Sequence, residues 1–143
     1  MNIADRVNMV KDQLARAAES SGRTPDSIQL VAVSKYQPAE RVLDAYNAGC
    51  RHFGENYVQE LCDKHTQLPT DIRWHFIGHL QSNKVKYIAP FVKCIHAVES
   101  EKLLAEINKQ AAKNNRTIEC LLQIHIAEEE SKFGFNPENA IAE

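Results

Sequence analysis

Two hydrophobic periods alternate along this chain, and that alternation narrows its possible folds more than any other feature. From Ile3, apolar residues recur at Val7, Val10, Leu14 and Ala18, the stripe of one helix face. Gly22 follows the stripe and Pro25 blocks a quick restart. Residues 28–33, IQLVAV, then form an almost unbroken apolar, β-branched run, which suits a strand buried on both faces. The unit repeats. Pro38 opens a helix carrying Val42, Leu43 and Tyr46 that stops at Gly49, and residues 51–54 read as a short strand. A helix over 57–65, a strand over 72–77, a helix after Gln81 and a strand over 92–97 follow. Ser100 caps the next helix, whose stripe is Leu103, Leu104, Ile107 and Ala111. Residues 118–126 form a fifth strand, and Asn136–Pro137 open another helix. Strands alternating with helices predict a parallel α/β fold. The pattern alone does not separate a barrel from a doubly wound sheet. No G-x-G-x-x-G follows the first strand, so a dinucleotide fold loses its best support. No linker divides the 143 residues, which fit one domain.

Charge and cysteine usage exclude some function classes. The net charge is −2 and no basic stripe is visible, so no nucleic-acid partner is expected. Lys84, Lys86 and Lys93 are interrupted by apolar residues and read as a solvated helix face, with a phosphate-binding patch as the alternative. MNIADRVNMV is no signal peptide, because Asp5 and Arg6 break any apolar core. No apolar run approaches the roughly 20 residues that span a membrane. The four cysteines, Cys50, Cys62, Cys94 and Cys120, form no C-x-x-C pair and are expected to be reduced thiols in a cytoplasmic protein.

In parallel α/β folds the active site lies beyond the C-terminal ends of the strands. Those ends read Ser34-Lys35, Gly54-Glu55-Asn56, Gly78-His79, Ala97-Val98-Glu99 and Ala127. Lys35 shares strand parity with Val31 and Val33, so the three face one way. A lysine leaving a buried strand is expected to be partly desolvated, which lowers its pKa and frees an amine to attack an aldehyde. A lysine reaching to water at a strand end fits the residue equally. His75 and His79 are four apart, but on and beyond a strand, so no metal site is expected. His52, His96 and His125 fall inside strands and read as hydrogen-bonded core histidines, and Trp74 and Phe76 as packing between sheet and helices.

VAVSKYQP (31–38), HFGENYVQE (52–60), WHFIGHLQSNK (74–84) and SKFG (131–134) stand in order at these strand ends. Together they closely resemble the pyridoxal-phosphate homeostasis protein family, also called the YggS or PROSC family. The resemblance implies a single (β/α)8 barrel of the kind that forms the N-terminal domain of alanine racemase, without that enzyme's second domain. It implies pyridoxal 5′-phosphate (PLP) as cofactor and Lys35 as the lysine that holds it as an aldimine. Asn56 would lie beside the cofactor, and His79 and Ser82 would line its ring side. Ser34 would support the turn rather than touch the ring. Lys132 would approach the cofactor or a second surface site, the alternative being a plain solvated lysine.

The resemblance also implies a carrier or buffer that hands PLP to apo-enzymes and performs no catalysis itself. A PLP-dependent enzyme such as an amino-acid racemase is the alternative, and a non-binding interaction or structural module the third reading. A barrel of this type runs to roughly 250 residues. The chain is therefore expected to hold the first five β-α units and to lack the phosphate cradle of the last loops. Such a piece would bind PLP weakly and would leave open sheet edges suited to self-association.

Overall fold

The computed structural model describes residues 1–126 and Gly134. It contains one parallel sheet of five strands in the order β1-β2-β3-β4-β5. The strands are β1 (Ala32–Val33), β2 (His52–Glu55), β3 (Arg73–Phe76), β4 (Cys94–Val98) and β5 (Glu119–Leu122). Between and before them lie α1 (Ile3–Ser20), α2 (Ala39–Asn47), α3 (Val58–Gln67), α4 (Val85–Ile88) and α5 (Glu101–Lys113). Neighbours in sequence are neighbours in the sheet. A doubly wound sheet reverses its strand order at a switch point, and these strands run on without reversal, as successive staves of a barrel do.

Local chemistry sets the helix ends. Asn2 and Asp5 form a reciprocal capping box on α1, with Asp5 N–H donating to Asn2 Oδ1 at 2.8 Å. Ser100 Oγ accepts from Leu103 N–H at 3.1 Å, as its place before the α5 stripe predicts. The helix expected after Gln81 is short: a 3-10 turn over Ser82–Lys84 leads into the single turn of α4.

Strand parity divides the sheet into two faces. Phe53, Trp74, Phe76 and Ile95 point toward the helices and form the core with Leu61, Val85, Ile88, Leu103 and Ile107. Trp74 is only 1% exposed, which bears out its reading as sheet-to-helix packing. The opposite, inner face carries Val33, Gly54, His75, Cys94 and Glu119 as one lateral row through the strand registers. Here the expectation of a first strand buried on both faces fails. Val33 is 56% exposed and Leu121 53%, although His75 and Cys94 of the same face are buried. β1 is also shorter than the apolar run 28–33, since only Ala32 and Val33 find ladder partners on β2.

No helix among the described residues is long and apolar enough to cross a membrane. All four cysteines are free thiols, with Cys50 and Cys94 buried. Lys132 and the Asn136–Pro137 helix start lie outside the described residues.

Candidate functional site

The C-terminal edge of β1 to β3 gathers the strand-end motifs. Ser34 N–H donates to the Gly54 carbonyl at 3.0 Å, extending the β1–β2 ladder. Lys35 stands in the turn two residues beyond the end of β1, and Asn56 follows directly on the end of β2. Ile77 N–H donates to the Glu55 carbonyl at 2.9 Å, which brings the β3 end alongside. Glycines permit this approach. A Cβ on Gly78 would lie 2.7 Å from the Asn56 carbonyl, and one on Gly54 would lie 3.0 Å from Ile77 Cδ1.

Lys35 follows the inner-face parity of Val31 and Val33 and is exposed. Of the two readings of Lys35, the structure bears out the lysine that reaches to water and corrects the partly desolvated one. Asn56 and His79 line one cavity of about 660 Å³ together with Tyr57, Gln81 and Lys84. The His79 imidazole meets the Glu99 carboxylate at 3.2 Å. Ser82 opens the adjoining 3-10 turn. The structure thus brings Asn56 and His79 together, keeps Ser82 close in the chain, and sets Lys35 at the neighbouring strand end outside that cavity's lining.

Beneath Lys35, on the helix-facing side, lies a charged cluster that sequence reasoning missed. Glu55 is 0% and Lys64 5% exposed, and Lys64 Nζ donates to Glu55 Oε1 at 2.6 Å. The same ammonium donates to the Ser34 carbonyl at 2.6 Å and to Glu60 Oε2 at 3.2 Å. Ser34 Oγ donates to Glu55 Oε2 at 2.8 Å. Ser34 therefore braces the turn, as expected of it. Burial pushes the Glu55 carboxyl above its ordinary range, while the hydrogen bonds from Lys64 and Ser34 favour its charged form. The i, i+4 spacing of Glu60 and Lys64 on α3 is visible in the sequence. That Glu55 turns toward them is not.

Tyr36 and Tyr57 join through their hydroxyls, with ring centroids 5.4 Å apart. That hydrogen bond raises the Tyr36 phenol above its ordinary pKa. Tyr36 itself sits in the left-handed region at φ 62°.

Lower on the inner face the histidines join, as the sequence reading has it for His52 and His96. His52 Nδ1 lies 2.9 Å from His75 Nε2, and His75 Nδ1 lies 2.8 Å from His96 Nε2. Arg73 Nη1 approaches His52 Nε2 at 3.5 Å and can only donate. His52 then donates from Nδ1 to His75, and His75 donates to His96, all three rings neutral. Burial and the neighbouring imidazoles lower His75 to about 4. His75, Cys94 and His96 place their donor atoms within 4.8 Å of one another. Both His75 nitrogens are already spent inside the ladder, so a metal would have to break it. His75 and His79 do not form the four-apart pair.

Residues 8–143 match the sequence pattern of the family described as "Alanine racemase, N-terminal domain". A pyridoxal phosphate homeostasis protein of Aquifex aeolicus is 40% identical over 97% of this chain and 61% of its own length. Its counterpart in Escherichia coli is 39% identical over 93% and 58%. A solved protein of unknown function from Bifidobacterium adolescentis superposes with a TM-score of 0.88 at 34% identity, covering 98% of this chain and 61% of that one. PipY of Synechococcus elongatus, solved with PLP bound, gives a TM-score of 0.75 at 38% identity, covering 90% and 60%. The chain thus spans about three-fifths of the length of these relatives.

Proposed function

Because the chain belongs to the alanine racemase N-terminal domain family, we propose that it is the N-terminal portion of a single (β/α)8 barrel that binds PLP and serves its homeostasis. Lys35 is the residue that holds the cofactor. The observation that carries this is its place: an exposed primary amine in the turn just beyond the C-terminal end of β1, at the same sheet edge where β2 ends in Asn56. In such barrels that edge is where ligands are bound. The donor set fits an aldehyde, since the exposed Lys35 amine is reachable from the open end of the sheet. PLP when bound supplies the carbonyl. The Lys35 amine would hold the cofactor through that carbonyl.

The chain's own residues bind and orient. Asn56, whose Oδ1 is buried without a hydrogen-bond partner, stands at the same sheet edge and offers an acceptor. His79 is steadied by Glu99, and with Ser82 it walls the β3 end. In such barrels the phosphate is held by the loops after the seventh and eighth strands; Lys132, which lies outside the described residues, is proposed to approach the cofactor.

The function is carriage of the cofactor to apo-enzymes rather than turnover.

The test is a PLP titration of the full chain, read by the visible imine absorbance, followed by borohydride reduction and peptide mapping. The label is expected on Lys35, and Lys35→Ala is expected to lose the band. A band that survives Lys35→Ala refutes the assignment. Enzyme-like α-proton exchange of amino acids would move the protein to the racemase reading.

A further inference from the structure

We propose that Glu60, Lys64 and Glu55 are positioning residues for Lys35, a proposal that rests on reading Lys35 as the cofactor lysine. The two peptide groups on either side of Lys35 are both held by this cluster. On the N-terminal side, the Ser34 carbonyl accepts from Lys64 Nζ at 2.6 Å. On the C-terminal side, Tyr36 N–H donates to Glu60 Oε2 at 2.8 Å. Lys64 ties the two clamps together, reaching Glu60 Oε2 at 3.2 Å and Glu55 Oε1 at 2.6 Å. Lys35 is the single residue between them.

The clamp answers a need of the backbone. Tyr36 occupies the left-handed region at φ 62°, which a side chain of its size adopts only under constraint. The turn bond from Gln37 N–H to the Ser34 carbonyl, 3.1 Å, and the contact of the Tyr36 hydroxyl with Tyr57 hold its carbonyl side and its ring, not its N–H. The Glu60 carboxylate supplies the missing hold as a charge-assisted bond. Both clamps close on main-chain atoms that flank Lys35, the Ser34 carbonyl and the Tyr36 N–H, so the cluster acts through the main chain. Fixing the Cα–Cβ direction of Lys35 removes freedom that the free lysine would otherwise lose on condensing with an aldehyde.

Glu60 is the residue to vary, because its side chain is partly exposed and its loss leaves the Lys64–Glu55 contact in place. Glu60→Ala removes the acceptor for Tyr36 N–H, whereas Glu60→Gln keeps an oxygen there. In the full chain titrated with PLP, Glu60→Ala is expected to weaken imine formation about tenfold. After borohydride trapping, the share of label on Lys35 relative to other lysines is expected to fall. Glu60→Gln is expected to restore both, and thermal melting of the variants should stay close to the parent. Should Glu60→Ala not fold, Glu60→Met, which keeps the stem but offers no oxygen, takes its place. Affinity and label share unchanged in Glu60→Ala, while Lys35→Ala loses the band, would overturn the clamp and leave the cofactor assignment standing. Equal losses in Glu60→Ala and Glu60→Gln would also overturn it. A band that persists in Lys35→Ala would instead remove the reading beneath it.

Discussion

The two faces of this sheet are built from the same strands and obey different rules. The helix-facing side holds Phe53, Trp74, Phe76 and Ile95 in a closed apolar layer. Its one charged intrusion, Glu55 with Lys64, is fully paired, as buried charge must be. The inner side holds a histidine ladder, a thiol and exposed valine and leucine. Stability is concentrated on one face and chemistry on the other, and each strand contributes to both by alternation.

Three measurements test that division. The largest effect is expected for Trp74→Ala, which empties a site in the packed layer and should cost about 4 kcal/mol in denaturant unfolding. A cost under about 1 kcal/mol would show that the layer is not the main source of stability.

Acid should come next, acting through the inner face. The folded His75 titrates at about 4 against an ordinary 6.5. Between those values the unfolded chain binds more protons, so stability rises with pH. It is complete above the ordinary value and lost as pH falls toward the folded one, by about 3 kcal/mol at 1.36 kcal/mol per unit. His52, His65 and His96 are lowered in the same direction, and Glu55, raised by burial, opposes them. Unfolding curves collected from neutrality down to mild acid check the slope. A flat profile would mean that the ladder is not neutral and buried in solution.

The smallest effect is expected for Val33→Ala on the inner face, within about 0.5 kcal/mol. A loss near 2 kcal/mol would mean that Val33 is covered in solution by something beyond the described residues.

Much of the fold was legible because its signal is local. The first helix announced itself through its apolar stripe and the last through its stripe and the Ser100 cap, and the strands within 28–33 and 118–126 through apolar runs. The first strand was overread, because residues 28–31 have strand chemistry but no ladder partner. Lys35, Asn56 and His79 were legible as strand ends. The exposure of Lys35 was not, since desolvation depends on what covers a face rather than on the strand that leads to it. Cofactor and barrel were recognised from four motifs in order, not from periodicity.

By itself, then, the sequence determined the order of elements, the parity that puts Val31 and Val33 on one face, and the motifs that mark the family. Only tertiary structure decided that Ser34 meets Glu55, that Glu60 reaches back to the Tyr36 amide, and that three histidines from three strands share their protons. Those partners lie some twenty residues apart. Their meeting depends on sheet register, which main-chain ladders set across strands and no local pattern encodes.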